Sequence, residues 1–263
     1  MKALILAGGR GQRLQHHTGS HNKCMLPLMG KPLIQYSLEN AVSAGIDSIV
    51  IVVGYCAEDI INHFGTDFQG TRIKYVIQSE RKGLVHAMEC ARDALDGSSF
   101  MLFLADEVFI STSYGEMLKR FHKENLFAIC GVVCVEDLSQ ISKTYALMGD
   151  DQTNRIFRLI EKPRVAINNI MGTGNCIMRF EIFNYVERTP INIERNEKEL
   201  PDLIQCAIDE GQLIKYFNIG QGYFNINSPD DITLAEEQLH DRGKTSDYPP
   251  QICPASAPGQ KVK

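Results

Sequence analysis

Apolar residues in the first hundred positions fall into short β-branched runs separated by stretches of helical period. Lys2 to Leu6 reads as a buried strand and is followed by a glycine-rich loop. After Pro32, apolar positions at Ile34, Leu38, Ala41 and Val42 recur at helical spacing up to Gly45, which predicts an amphipathic helix. Ser48 to Gly54 is a second strand, and Ala57 to Phe64 a short helix with Ile60, Ile61 and Phe64 on one face. Tyr75 to Gln78 forms a third strand leading through Gly83 into a helix from Leu84 to Ala94. Phe100 to Ala105 is a fourth strand, stopping at Asp106-Glu107. Such alternation implies right-handed crossovers and a sheet covered on both faces, hence an α/β fold: a doubly wound, mostly parallel, Rossmann-like sheet.

The pattern then changes. Strands are predicted at Ala128 to Val135, Tyr145 to Met148, Ile156 to Ile160, Asn175 to Arg179 and Leu213 to Asn218. Helices are predicted near Leu200 to Glu210 and at Pro229 to Leu239, an α+β extension of the sheet. From Arg242 onward, prolines and small polar residues show no apolar periodicity. One domain over residues 1–241 and a disordered or loosely docked tail over 242–263 are expected.

Composition narrows the partners. The net charge is -5, and the 27 Lys and Arg are spread evenly rather than gathered into a stripe, which argues against a nucleic-acid polymer. The apolar run at Met1 to Ala7 is too short for a signal segment and no run reaches membrane-spanning length, so no membrane partner and a cytoplasmic location are expected. The eight cysteines include no Cys-x-x-Cys pair and sit mostly in apolar stretches, which reads as reduced core thiols. A homo-oligomer remains open.

Candidate chemistry begins at Gly8-Gly9-Arg10-Gly11-Gln12-Arg13-Leu14, directly after the first strand. Glycines there let backbone amides turn toward an anion with no Cβ in the way. No Gly-Lys-Ser/Thr follows, so the loop is not a Walker A motif. Polar residues run on to Asn22 without a helix, which does not fit dinucleotide binding. A glycine-rich turn without chemistry is the competing reading. Two fixed cations, Arg13 and Lys23, flank the polar stretch. Lys23-Cys24-Met25-Leu26-Pro27 then runs into Gly30-Lys31-Pro32.

Taken together, these segments closely resemble the opening of the sugar-phosphate nucleotidyltransferase family, whose pattern is Leu-Ala-Gly-Gly-x-Gly-x-Arg-Leu, Lys-x-x-Leu-Pro and Lys-Pro. Over about residues 1 to 240 the resemblance continues in order through Gln78 with Gly83-Leu84, Asp106, Tyr145-Ala146, Glu161-Lys162-Pro163, Gly174-Asn175 and Tyr223-Phe224-Asn225-Ile226-Asn227-Ser228-Pro229-Asp230-Asp231. It implies transfer of the nucleoside monophosphate of an NTP to a small phosphate- or phosphonate-bearing acceptor, such as a sugar 1-phosphate, with release of pyrophosphate. Leu6, Ala7, Gly8, Gly9, Gly11, Gln78 and Gly83 are implied to hold the nucleotide, and Tyr145, Glu161, Lys162 and Asn175 the acceptor. Asp106 and Asn225 are implied to bind Mg²⁺ as cofactor. Because both reactants are anionic, catalysis of this kind rests on cations that position them and neutralise developing charge. Arg13 is implied to stabilise the leaving pyrophosphate and Lys23 the α-phosphate.

Three departures bear on the acceptor and the metal. Asn225 stands where the family commonly has Asp, Ala146 where it has Gly, and Tyr223 where it has Trp. Glu107, next to Asp106, is a candidate to replace the lost charge if the strand ends between them, since adjacent strand residues otherwise face opposite ways. An aminoalkylphosphonate or cyclitol phosphate is therefore weighed beside sugar 1-phosphates, with a CMP- as well as an NDP-activated product. Gln78 carries both a donor and an acceptor, so the nucleobase stays open. The alternative from a different class is a non-catalytic regulatory homologue that binds nucleotide or sugar nucleotide without turnover. Ordered retention of Arg13, Lys23, Asp106 and Lys162 weighs against it.

Overall fold

A computed structural model describes residues 1–9 and 21–242. Strand β1 (Lys2–Ala7) lies at the centre of a mixed ten-stranded sheet. Helix α1 (Leu33–Ser43) leads to β2 (Ser48–Val53), α2 (Ala57–Phe64) to β3 (Thr71–Ile77), and α3 (Gly83–Cys90) toward β4 (Phe100–Leu104). β1 pairs in parallel with β2 on one side and with β4 on the other, and β3 continues in parallel outside β2. The chain thus winds outward from β1 to β3 and then returns to the opposite side of β1. That reversal opens a crevice between the carboxyl ends of β1 and β4, where open α/β sheets bind ligands.

Alternate residues of the central strands face opposite layers, as the pleat demands. Leu4, Val50, Val52, Phe100 and Leu102 join one buried cluster with Val85 and Met88 of α3. Ala3, Ile5, Ile49, Ile51, Met101 and Phe103 join the other, with Ile34 and Leu38 of α1 and Ile60 of α2. Two-sided burial explains why these strands are nearly continuous apolar runs.

Past β4 the chain forms β5 (Glu107–Thr112), α4 (Tyr114–Lys123), β6 (Ala128–Cys134), β7 (Tyr145–Gly149), β8 (Ile156–Glu161), β9 (Ile170–Met178), α5 (Leu200–Asp209), β10 (Ile214–Asn218), β11 (Gly220–Asn225) and α6 (Pro229–Arg242). β9 runs antiparallel to β4, β6 and β7, and its register breaks between Gly172 and Cys176. It begins at Ile170, well before the predicted Asn175; Thr173 to Asn175 leave the ladder and hide the strand's period. β5 and β11 were not expected. They form a separate antiparallel pair, with Asn225 opposite Glu107, over a small core of Leu28, Leu33, Val108, Phe224 and Ile226.

The reading of reduced cysteines holds for Cys24, Cys56, Cys90, Cys130, Cys176 and Cys206 and does not extend to Cys134. Among the described residues, no helix is long and apolar enough to cross a membrane. Of the expected tail, only Arg242, which ends α6, lies within the described residues.

Candidate active site at the carboxyl ends of β1 and β4

Gly8 leaves the end of β1 against the backbone of Gly54, where a Cβ on Gly54 would meet the Gly8 carbonyl oxygen at 2.7 Å. Asn22 is fully buried and ties the return of the loop to this point. Its amide donates to the carbonyls of Ala7 and Tyr55, and its Oδ1 accepts from the Cys24 amide at 2.8 Å. That cap starts a single 3-10 turn, Lys23–Met25, and delivers the Lys23 side chain into the crevice. Gly11 and Arg13 lie outside the described residues.

Lys23 is buried. Its ammonium donates to Asp106 Oδ2 at 2.7 Å and to Asn227 Oδ1 at 2.9 Å. Asn227 in turn donates to Asn225 Oδ1 at 2.7 Å. Residues separated by more than two hundred positions therefore form one chain of polar contacts. Its far end is fixed by a capping box at the start of α6: Asp231 accepts from the amides of Asn227 and Ser228, and Ser228 Oγ accepts from the Asp231 amide. The sequence reading missed Asn22 and Asn227. The final helix does start at Pro229 as expected, and its Ser-Pro-Asp-Asp cap was the signal that could have marked Asn227 just before it.

Of the residues expected to hold a nucleotide, Gly8, Gln78 and Gly83 come together, Leu6 and Ala7 lead into Gly8 along β1, and Gly9 is exposed beyond it. Leu6 O accepts from Ala105 N, locking β1 to the Asp106 turn. Gln78 is buried at the end of β3, with its amide nitrogen 3.3 Å from Gly83 O and 3.0 Å from His86 Nδ1. A carbonyl oxygen only accepts, so the Gln78 atom facing Gly83 must be the nitrogen. The amide oxygen is thereby turned toward Gly8, where a Cβ would lie 2.8 Å from it. Gly83 has φ +89, a left-handed conformation that glycine adopts freely, and its α-carbon is covered by Glu197, whose side chain a Cβ would meet at 2.8 Å.

A second cluster forms at the end of β8. Glu161 pairs with Arg195 at 2.9 Å and with Lys162 at 3.5 Å. Lys162 itself has φ 41 and donates its amide to Thr144 O at 2.7 Å. A non-glycine residue held there costs about 1–2 kcal/mol, supplied by the surrounding contacts. Arg195 comes from the turn between the short strands Ile191–Asn192 and Glu197–Lys198. It also reaches Glu199 at 3.0 Å. No motif marked Arg195, because a lone arginine in a polar turn reads as a solvated charge.

Tyr145 and Asn175 are placed differently from Lys162. Both side chains are buried and committed to the protein: the Tyr145 hydroxyl donates to Thr173 O at 3.1 Å, and Asn175 donates to Glu107 and accepts from the Tyr114 hydroxyl. Glu107 points away from Lys23 and Asp106, so it does not restore the charge lost at Asn225. Burial, reinforced by the Asp106 charge, pushes its carboxyl up to about 7. Cys24 borders Lys23, and burial pushes its thiol up to about 12, which removes it as a nucleophile.

The donor set at Asp106 fits a hard divalent cation that keeps most of its shell from phosphate and water. One carboxylate and the Asn225 carbonyl oxygen are at hand, and a cation, the Lys23 ammonium, already rests against Asp106 and Asn227. Among the described residues no cluster of three or more His, Cys, Asp or Glu forms a fuller cage.

Comparison with known proteins bears on the family and the fold. The chain is 32% identical over 242 residues to the UTP–glucose-1-phosphate uridylyltransferase AglF of Haloferax volcanii, covering 92% of this chain and 97% of that one. It is 28% identical to the UTP–glucose-1-phosphate uridylyltransferase of Bacillus subtilis, covering 92% and 94%. A crystal structure of UDP-glucose pyrophosphorylase complexed with UDP-glucose superposes with a TM-score of 0.81 at 25% identity, covering 92% of this chain and 98% of that one. The glycines that end β1, a buried lysine held by a half-buried aspartate at the switch crevice, and a match to the nucleotidyl transferase family over residues 2–242 lead to one assignment: the chain belongs to the nucleotidyl transferase family.

Proposed function

We propose that the chain is a sugar-1-phosphate nucleotidyltransferase, which joins the nucleoside monophosphate of an NTP to a sugar 1-phosphate and releases pyrophosphate. The observation that carries this reading is the Lys23 ammonium, buried at the mouth of the crevice beside the glycine loop and held by Asp106 and Asn227. A buried, presented cation of this kind suits transfer between two anions.

In this reading an oxygen of the acceptor phosphate attacks the α-phosphorus, the bond from the α-phosphorus to the bridging oxygen breaks, and pyrophosphate carries away the charge. The acceptor is already ionised near neutral pH, so no general base is needed. Lys23 moves from Asp106 to the α-phosphate, and Asn227 guides that exchange. Arg13, outside the described residues, takes the leaving pyrophosphate on the strength of the resemblance alone. Lys162 and Arg195 supply positive charge for the acceptor phosphate, with Glu161 orienting both. The Gln78 amide oxygen offers an acceptor to an N–H of the nucleobase. Mg²⁺, held by Asp106 and Asn225, would neutralise phosphate charge and screen the two reactants from one another.

The test is a pyrophosphate-release assay with Mg²⁺. It crosses UTP, dTTP, CTP, ATP and GTP with sugar 1-phosphates, cyclitol phosphates and aminoalkylphosphonates, starting from UTP with glucose 1-phosphate, the pair named for both uridylyltransferase relatives. Turnover of a sugar 1-phosphate supports the proposal. Turnover confined to phosphonates would replace the acceptor, and nucleotide binding with no turnover would favour a regulatory homologue.

A further inference from the structure

Behind Asp106 the chain buries a second carboxylate that the transfer itself does not use. Glu107 accepts from Gly174 N on both oxygens, at 3.1 and 3.0 Å, from Asn175 Nδ2 at 2.6 Å, and from the Tyr223 hydroxyl at 2.8 Å. Each partner is a neutral donor, and together they join two elements to the Asp106 turn. Gly174 and Asn175 are the bulge of β9, on the acceptor side of the proposed site. Tyr223 lies on β11, two residues before Asn225. Glu107 itself follows Asp106 directly. The bulge costs β9 its regular ladder between Gly172 and Cys176, so the Gly174 amide depends on Glu107 for its partner. Space is equally tight: a Cβ on Gly174 would lie 2.3 Å from the Leu104 side chain and 3.2 Å from Glu107.

We infer that Glu107, anchored by the Tyr223 hydroxyl, is a positioning residue that fixes the acceptor-side bulge Thr173–Asn175 against the Asp106 turn, and so sets where the acceptor lies relative to the nucleotide. This rests on the nucleotidyltransferase reading above. Chemistry explains why a carboxylate is needed. Four donor contacts converge on it, and an amide in its place would aim its own N–H at one of them. The family pattern resembled in the sequence has Trp at the place of Tyr223, and an indole can also donate. The phenol, however, sits over Phe109 with ring centroids 5.3 Å apart and reaches Glu107 with its oxygen, so removing only that oxygen leaves the packing in place.

Tyr223→Phe tests the anchor with least disturbance. The acceptor KM should rise about tenfold, the worth of one lost charge-assisted hydrogen bond. The phenol has no hydrogen bond to Lys23 or Gln78, so the NTP KM should change far less than the acceptor KM; because the phenol also touches Asn225, a parallel Mg²⁺ titration, expected to shift by no more than about twofold, separates loss of the anchor from loss of the metal site. Hydrogen exchange gives a readout independent of turnover: amides in the segment 172–176 should exchange about tenfold faster, with β1 and β4 unchanged. A stronger test is Glu107→Gln, expected to raise the acceptor KM about a hundredfold, and Glu107→Gln with Asn175→Asp. In the double variant the new amide donates to the new carboxylate, which still accepts from Tyr114, and the acceptor KM should return to within a few fold of wild type. Equal changes in both KM values, unchanged exchange at 172–176 in Tyr223→Phe, or failure of the double variant to recover would each overturn the inference. A wild-type protein silent with every sugar 1-phosphate would count against the enzyme reading instead, while the exchange experiment would still decide the role of Glu107.

Discussion

Replacing Gly8 with alanine puts a methyl group where the Gln78 amide oxygen already sits. The ideal Cβ is 2.8 Å from that oxygen, and ordinary contact begins near 3.4 Å, so the amide must retreat by about 0.6 Å. Gln78 has little room for that. It is 7% exposed, and its nitrogen is pinned by Gly83 O and His86 Nδ1. Displacing it endangers both bonds, each worth about 0.5–1.5 kcal/mol net, so the loss is roughly 1–3 kcal/mol. If the nucleobase reads the Gln78 oxygen, that loss falls on NTP affinity, a rise in Kd of about 5- to 150-fold. Calorimetric titration with NTP alone, without acceptor, measures it directly. A double-mutant cycle with Gln78→Ala isolates the cause: the methyl should add little once the amide it strikes is gone. NTP affinity unchanged in Gly8→Ala would refute the reasoning, as would full additivity in the cycle.

Other outcomes follow from the same geometry. Asp106→Asn should abolish Mg²⁺-dependent turnover and, by leaving the buried Lys23 ammonium without its carboxylate, lower the unfolding free energy by roughly 1–3 kcal/mol. Wild-type activity in that variant would move the metal elsewhere. Asn225→Asp keeps an acceptor for the 2.7 Å bond from Asn227 and adds a charge beside Asp106. The Mg²⁺ concentration for half-maximal rate should fall about threefold or more, and an unchanged titration would exclude Asn225 as a ligand. Lys162→Ala should raise the acceptor KM far more than the NTP KM. Arg195→Ala should do the same more weakly, since it frees Glu161, now 3.5 Å from Lys162, to hold that ammonium back from phosphate; steady-state kinetics at low and high salt would show the Arg195 effect shrinking as salt rises, and indifference to salt would refute it.

Much of this was legible along the chain because it is local. The runs Lys2–Leu6 and Ser48–Val53 had to be buried strands, since no other element of that length hides such apolar stretches on both sides. Gly8, Gly54 and Gly83 each permit a close approach or a backbone angle that other residues resist. The order of the motifs carried the family. Short-range pattern failed where the partner is remote. β11 contains Gly220 and Gly222 and shows no alternation, so it becomes a strand only by pairing with β5, more than a hundred residues earlier.

Side-chain direction was the other thing only tertiary structure decided. Along the chain, Asp106 and Glu107 are neighbouring acids of equal standing. In the fold the turn sends Asp106 to Lys23 in the crevice and Glu107 into the interior against Gly174 and Tyr223. Gln78 offers two readings in sequence, and the Gly83 carbonyl leaves one. Sequence fixes which groups exist and how the backbone can turn near them. Which charges meet, and which are hidden from water, depends on contacts between residues 83 and 204 positions apart, as at Lys23, whose geometry no local propensity encodes.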